Sequence, residues 1–197
     1  MEFTLPGVPL EFTWTVPPAE CGLRNGSLRA VPPARTDIFV PPDGSPSTMN
    51  GSRALAPLPD GDFSLSARVR VTFRDTYDAG TLLLWADEKH WAKLCFERSP
   101  AGQPMVVSVV CRDLADDANS WPVSSLDGVW LRISRVGGAF VFHAGDDGSR
   151  WEFVRQFALP ATHVGFGVQA PSGNGCDVLF DHVGFSTAKL TDLRDGS

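Results

Sequence analysis

The chain has 197 residues, of which 43% are hydrophobic and 20% are charged, a composition typical of a globular protein and not of a disordered one. Its net charge of −6 argues against nucleic acid and anionic membrane surfaces as partners, because both require a basic face. No apolar run approaches the roughly 18 residues of a membrane span, and the first residues lack the basic start and apolar core of a secretory signal, so we expect a cytoplasmic protein.

Residues 1–61 are the part of the chain richest in proline and glycine. Pairs such as Pro17-Pro18 and Pro41-Pro42 punctuate this stretch, and Pro41-Pro42-Asp43-Gly44 is a turn signal, because proline presets φ and glycine accepts a positive φ. Asn25-Gly26-Ser27 and Asn50-Gly51-Ser52 match the acceptor pattern for glycosylation, but Asn-Gly is also typical of tight turns. We predict short strands between ordered loops here.

From residue 63 onward the hydrophobic period is two. Phe63 to Phe73 alternates apolar and polar residues over eleven positions, the clearest half-buried strand in the chain. Further strands are predicted at about 81–86, 91–97, 105–112, 129–135, 139–143, 150–157, 163–170 and 176–186. No window shows helical periodicity, so the chain is predicted to be a single all-β domain over 1–197, an antiparallel β-sandwich or jelly roll, with a short flexible tail at 188–197.

Four cysteines, Cys21, Cys95, Cys111 and Cys176, are scattered along this pattern without a C-x-x-C pair. A core of this size does not need disulfides, and buried free thiols behave as small hydrophobic groups. We therefore expect four reduced thiols, in agreement with a cytoplasmic location.

The strand at 91–97 carries the most informative polar residues. Alternation places Trp91, Lys93, Cys95 and Glu97 on one face and Leu94 and Phe96, with Ala92, on the other, which is plainly core. A hairpin loop at 87–90 would put Trp85 on the core face as well, although a one-residue change of the loop would reverse it. The Lys93–Glu97 face is either a binding cleft or an ordinary solvated face.

The same alternation gathers further candidate ligand contacts. Gln169 alternates with Gly165 and Gly167, which strip side chains from one face of their strand and leave room for a ligand or for close packing. Loops at the rim would add further side chains. The full set of candidate ligand-binding residues is Asp37, Tyr77, Trp91, Lys93, Glu97, Ser108, Trp121, Arg155 and Gln169, with Trp91 and Trp121 as stacking surfaces for a sugar ring.

Several segments resemble a concanavalin A-like family of largely unknown function that is named after a yeast regulation-of-enolase protein. The segments are Thr36-Asp37-Ile38-Phe39, Tyr77-Asp78-Ala79-Gly80, Asp87 to Glu97, Met105 to Val110, Trp151 to Arg155 and Gly165 to Pro171. The resemblance implies a two-sheet jelly roll with one concave face, which favours the cleft interpretation of Lys93 and Glu97. It also implies a distant similarity to accessory modules of β-xylosidase-like glycoside hydrolases. Where the family usually has Asp-Trp-Ser, this chain has Asn119-Ser120-Trp121-Pro122, so the resemblance does not support a family contact in that loop.

Catalytic and metal motifs are incomplete. Glucanases of this fold class use Glu-x-x-x-Glu, which does not occur, and the four histidines show neither H-x-H nor H-E-x-x-H. Asp181 resembles the late-strand aspartate that helps to bind a structural Ca²⁺ in jelly-roll lectins, but one carboxylate is far from the six to eight oxygens that calcium requires. We therefore expect no cofactor.

The sequence is compatible with three functions. The first is binding of a small polar ligand, a saccharide or sugar derivative, on the concave face. The second is an enzyme that uses the same pocket, with Glu97 as general acid/base and Lys93 controlling its ionisation. The third is an interaction module that binds a protein partner or a second copy of itself.

Overall fold

A computed structural model describes residues 1–125 and 127–197, which form β-strands and contain no α-helix. The first nine strands are β1 (Glu2–Leu5), β2 (Val8–Val16), β3 (Glu20–Arg24), β4 (Ser27–Val31), β5 (Ile38–Phe39), β6 (Thr48–Met49), β7 (Ser52–Pro57), β8 (Phe63–Thr72) and β9 (Ala79–Asp87). The others are β10 (His90–Arg98), β11 (Pro104–Arg112), β12 (Leu114–Pro122), β13 (Val129–Val136), β14 (Ala139–Gly145), β15 (Glu152–Phe157), β16 (His163–Gln169) and β17 (Asp177–Ser186). Among these residues no helix has the length and hydropathy of a membrane span.

Two large antiparallel sheets pack against each other. The eight-stranded sheet has the order β1-β2-β7-β16-β9-β10-β11-β12, and the seven-stranded sheet has the order β15-β14-β13-β8-β17-β4-β3. β5 and β6 form a separate two-stranded ribbon. The predicted all-β sandwich is therefore confirmed, and its topology is consistent with a jelly roll.

The main core lies between the two sheets. Phe12 and Phe166 of the eight-stranded sheet have ring centroids 5.0 Å apart, and Phe166 lies 5.0 Å from Phe180 of the opposite sheet. Alternation decides which side chains enter this core: β8 buries Leu65 and Val69 inside, while the serines and arginines between them face outward. Leu94 and Phe96 also belong to this core, as the sequence predicts.

A second, smaller core covers the outer face of the eight-stranded sheet, the face that is turned away from its partner sheet. The ribbon contributes Ile38 and Phe39, which pack on a cluster that includes Trp91 and Cys95. Gly51 allows this close approach, because a Cβ there would lie only 2.7 Å from Cγ1 of Ile38. The ribbon therefore closes part of this face and leaves the rest open beside it.

β12 differs most from the sequence prediction. Residues 1–61 contain seven strands, six of them short as predicted, and the nine-residue β2 is longer than expected. β12 lies at 114–122, where no strand was predicted, because Asp116, Asp117 and Asn119 interrupt any apolar pattern. As an edge strand β12 pairs on one side only, so polar side chains are tolerated there.

Residues 188–197, predicted to be a flexible tail, contact the outer face of the seven-stranded sheet. Arg132 donates from Nη2 to the carbonyl of Gly196 (2.8 Å), and its guanidinium lies over the Trp151 ring. Nε2 of His143 donates to the carbonyl of Leu193 (2.9 Å). Arg132 and His143 are buried, so the segment makes specific contacts with the sheet, while its flexibility stays a prediction.

Candidate functional site

A cavity of about 270 Å³ opens on the outer face of the eight-stranded sheet, beside the β5–β6 ribbon. Its volume lies just below the range of about 300–1,000 Å³ that is typical of sites for drug-sized ligands. The lining residues are Asp37, Phe39, Tyr77, Lys93, Glu97, Val109, Asp117 and Gln169. Five of the nine predicted ligand contacts are among them: Asp37, Tyr77, Lys93, Glu97 and Gln169.

Strand register explains why distant parts of the chain meet here. Lys93 of β10 pairs with Val109 of β11, which pairs with Asp117 of β12, so these three side chains form one row on the outer face. Glu97 and Gln169 both pair with Ala79 of β9, one from each side. Neighbouring strands are about 4.8 Å apart, so each row places two polar residues about 10 Å apart across a small or apolar side chain.

Lys93 forms the polar floor of the cavity. Only 2% of the residue is exposed, and Nζ donates to Oδ1 of Asp37 (3.0 Å) and to Oε1 of Gln169 (2.9 Å). Asp37 reaches this position because Thr36 and Ala170, the residue after Gln169, form an isolated β-bridge. Two segments more than 130 residues apart are thereby fixed around one ammonium group.

The ammonium group of Lys93 is held in its charged form. Burial lowers the pKa of Lys93, but the neighbouring Asp37, with smaller contributions from Cys95 and Glu97, outweighs this effect, so that the pKa is raised above its ordinary value. The aromatic rings of Trp91 and Phe39 also lie 5.7 and 5.9 Å from Nζ. The floor of the cavity is therefore a paired, fixed cation.

Glu97 differs from Asp37 because no cation pairs with it. Its carboxyl makes no hydrogen bond or ion pair within residues 1–125 and 127–197. Burial raises the pKa of Glu97 to about 8, an effect that Lys93 opposes and that Asp37 and Asp117 reinforce. At neutral pH this side chain is mainly a carboxylic acid, which can both donate and accept a hydrogen bond.

Tyr77 forms the exposed rim. Tyr77 is 42% exposed. Its backbone φ of 67° lies in the left-handed region, which residues other than glycine rarely adopt. The turn is held by the buried Asp78, whose carboxylate accepts hydrogen bonds from the backbone N–H groups of Arg74 and Asp75. The fold therefore fixes an aromatic ring at the mouth of the cavity.

Trp91 lies on the predicted face but has no exposed surface, so it cannot be a stacking wall for a ligand. It is buried in the smaller core on which the β5–β6 ribbon packs, which the sequence did not indicate. Trp85 pairs with Trp91 in the hairpin and lies on the same outer face, not in the main core as predicted. A register shift between His90 and Trp91 is the one-residue change that reverses its side.

Three more predicted contacts lie elsewhere. Ser108 pairs with Leu94 and therefore faces the main core. Trp121 is the penultimate residue of β12, not part of a rim loop, and packs against the main core. Arg155 binds Asp116, with its Nη2 2.6 Å from Oδ2, and Asp116 pairs with Val110, whose side chain lies in the main core.

Phe39, Val109 and Asp117 line the cavity but were not among the predicted contacts. Val109 could have been assigned from its phase in β11, since it lies opposite Ser108 in the alternation. Asp117 could not, because its strand was not recognised. Phe39 depends on the ribbon, whose two-residue strands carry no periodic signal.

Asp181 is not placed to hold calcium. Its carboxylate binds Nε of Arg68 (2.8 Å) and Nη2 of Arg70 (3.0 Å), so two guanidinium groups already neutralise it. In the part of the chain that the structure describes, no group of three or more His, Cys, Asp or Glu side chains could hold a metal ion. The weak calcium hypothesis is therefore not supported.

Comparison with known proteins places these observations in a family. A family model described as "Protein of unknown function (DUF1349)" matches residues 14–188. The "Regulation of enolase protein 1" of Saccharomyces cerevisiae is 26% identical over 136 residues, which are 68% of each chain. Both agree with the resemblance seen in the sequence.

Solved structures show the same fold. A functionally unknown protein from Saccharomyces cerevisiae has a TM-score of 0.80 at 21% identity and covers 90% of this chain and 96% of its own. A carbohydrate-binding module, CBM66 from Bacillus subtilis, has a TM-score of 0.55 at 14% identity, with coverage of 88% and 94%. A xylan β-1,4-xylosidase from Bacillus halodurans has a TM-score of 0.68 at 14% identity; 84% of this chain matches 34% of the xylosidase. At these identities the likeness is one of fold.

Proposed function

Since the chain belongs to the DUF1349 family, whose function is unknown, we propose that it binds a small saccharide or sugar derivative in the cavity on the outer face of its eight-stranded sheet. The observation that carries this proposal is the buried Lys93–Gln169 floor beneath an exposed aromatic rim. The fold is shared with a carbohydrate-binding module and with part of a xylosidase, which supports the same class of ligand.

The chemistry of the lining suits a molecule rich in hydroxyl groups. A hydroxyl both donates and accepts, and the cavity offers donors and acceptors side by side on Gln169, Glu97 and Asp117. Apolar surface from Phe39 and Val109 and the ring of Tyr77 complement the C–H groups of a sugar. We assign to Tyr77 the stacking on a sugar ring that the sequence analysis predicted for Trp91, because Tyr77 is accessible and Trp91 is buried.

A thermal-shift screen of neutral sugars, sugar derivatives and sugar phosphates tests this proposal, followed by calorimetric titration of the compounds that stabilise the protein. We expect Gln169→Ala and Tyr77→Ala each to weaken binding by about 5- to 150-fold, which corresponds to about 1–3 kcal/mol. Gln156→Ala, an exposed glutamine on β15, is the matched control and should change nothing. Binding that survives both cavity substitutions would place the site elsewhere.

An enzyme is the second candidate, and one observation favours it. Glu97 keeps its proton near neutral pH, as a general acid must, and lies in the same cavity. Glu97→Gln separates the two functions, because it should lower turnover by about 10²–10⁴-fold in an enzyme and change affinity only modestly in a binding module. Aryl glycosides that release a coloured phenol are suitable first substrates.

A further inference from the structure

More acidic than basic side chains line the cavity. Asp37, Glu97 and Asp117 line it, whereas Lys93 is the single cationic side chain among its lining residues. Asp37 is already paired with Lys93, so the carboxyls of Glu97 and Asp117 have no cation of their own in the residues that the structure describes. Glu97 lies on β10 in the row of Met105, and Asp117 lies on β12 in the row of Val109. The two carboxyls are therefore diagonally opposite each other across β11.

The opposite side of the cavity presents a donor. Gln169 is 3% exposed, and Lys93 can only donate, so the Oε1 atom of Gln169 must face Lys93. The Nε2 group is then directed away from Lys93, and it makes no hydrogen bond to another described residue. Gln169 lines the cavity, so this Nε2 group can donate to an acceptor on a bound molecule.

On the basis of the proposed function, we infer that the ligand is an amino polyol, such as an amino sugar, whose protonated amine lies between Glu97 and Asp117 and whose hydroxyl accepts from Gln169. The ammonium group supplies the cation that these two carboxyls lack. A phosphate or carboxylate group would instead lie beside the carboxyls of Asp37 and Asp117 and would oppose ionisation of Glu97, and the one cation near it is already engaged by Asp37 and Gln169. The cavity therefore favours cationic over neutral ligands and disfavours anionic ones.

Binding of an ammonium group should release a proton from the Glu97 carboxyl. The charged and titratable groups around Glu97 are Lys93 and the Cys95 thiol on β10, Asp37 before the ribbon and Asp117 on β12. With a pKa of about 8, Glu97 is mainly protonated at pH 7, and a bound ammonium group favours its ionised form. The O–H proton of Glu97 then passes to the buffer, so a cationic ligand releases up to one proton at pH 7 and a neutral sugar releases none.

Calorimetric titration with matched sets of hexosamine, hexose and hexose 6-phosphate in the gluco, galacto and manno configurations tests the inference. In at least one configuration we expect the hexosamine to bind at least tenfold more tightly than the hexose, and the phosphate to bind more weakly than both. Repeating the hexosamine titration in buffers of different ionisation enthalpy at pH 7 should show proton release.

Two variants identify the carboxyls responsible. Glu97→Gln and Asp117→Asn should each reduce the preference for the hexosamine by at least fivefold and leave hexose affinity nearly unchanged, and Glu97→Gln should abolish proton release. Asp113→Asn, which removes the same charge from an exposed turn after β11, is the control and should keep the preference. Equal or tighter binding of the hexose or of the phosphate would overturn this inference and leave the proposed function standing. If no sugar of any charge binds, the proposed function fails, and the inference fails with it.

Discussion

The ammonium group of Lys93 lies 3.0 Å from the carboxylate of Asp37, a residue 56 positions earlier in the chain. The pair is nearly buried, since 3% of the Lys93 side chain and 21% of the Asp37 side chain are exposed. It joins the sheet to the segment that leads into the β5–β6 ribbon, so it fixes both the floor of the cavity and part of its wall.

A double-mutant cycle measures this coupling. Lys93→Met and Asp37→Asn each remove one partner and leave the other uncompensated, which costs about 3–5 kcal/mol for a fully buried pair and, at this partial exposure, about 2 kcal/mol in the free energy of unfolding. The double variant should lose at least about 1 kcal/mol less than the sum of the single losses, as chemical denaturation will show. Additive losses would mean that the two groups do not interact.

Glu97 makes stability depend on pH. Its folded pKa of about 8 lies above the ordinary value of 4.5, so between these values the folded protein binds more protons than the unfolded chain. Its contribution is therefore present below pH 4.5 and is lost as the pH rises towards 8, by at most about 1.4 kcal/mol per pH unit. Glu97→Gln should flatten the decline in Tm between pH 5 and 8. An unchanged slope in the variant would show that Glu97 has an ordinary pKa.

Phe96 tests the packing between the sheets. It is buried in the main core and meets Phe73 edge to face, with centroids 5.0 Å apart. Phe96→Ala should lower the free energy of unfolding by about 3–5 kcal/mol. Leu114→Ala, on the exposed edge strand β12, should change it by less than about 0.5 kcal/mol. A loss below 1 kcal/mol for Phe96→Ala would contradict its place in the core.

The four cysteines are free, and they differ in accessibility. Burial raises the pKa of Cys111 to about 11 and that of Cys176 to about 12, and Cys95 is buried as well, whereas Cys21 is partly exposed. A thiol reagent at pH 8 should therefore titrate one thiol in the native protein and four after denaturation without reduction. Fewer than four in the denatured protein would indicate disulfides and would argue against the cytoplasmic location that we propose.

The C-terminal segment shields His143. Burial beneath it lowers the pKa of His143 to about 4, so the imidazole is neutral and donates to Leu193. Removing residues 191–197 should move the pKa of His143 towards 6.5, because water then reaches the ring. Titration of the histidine resonances by NMR measures this shift. A His143 pKa that stays near 4 in the shortened protein would show that the segment does not cover the ring.

Alternation predicted the sandwich and the polar face of β10, because a strand buried on one side records its orientation in every second residue. Lys93, Glu97 and Gln169 could be found in this way. The face of Trp91 was predicted correctly but its burial was not, since the burial depends on the smaller core to which the β5–β6 ribbon contributes, and pairing over long sequence separations leaves no local trace.

Edge strands are the second reason why part of the site was missed. β12 has little apolar pattern because its outer edge faces solvent, so Asp117 was hidden in an apparent loop and Trp121 was assigned to a rim. Arg155 was placed by phase alone, but its guanidinium reaches Asp116, on the core side of β12. The alternation of residues along a strand predicts which face a side chain is on, but it does not predict which neighbour a long side chain such as that of Arg155 will contact.

The side-chain amide of Gln169 offers the most direct test of the proposed site. In ¹⁵N-labelled protein its two Nε2–H signals can be assigned by their loss in Gln169→Ala and followed during titration with a sugar identified in the thermal-shift screen. We predict that these signals shift in a saturable manner, together with the backbone signals of Lys93, Glu97 and Tyr77, while that of Gln156 does not move. Saturable shifts confined to the seven-stranded sheet, with the Gln169 amide unchanged, would contradict it.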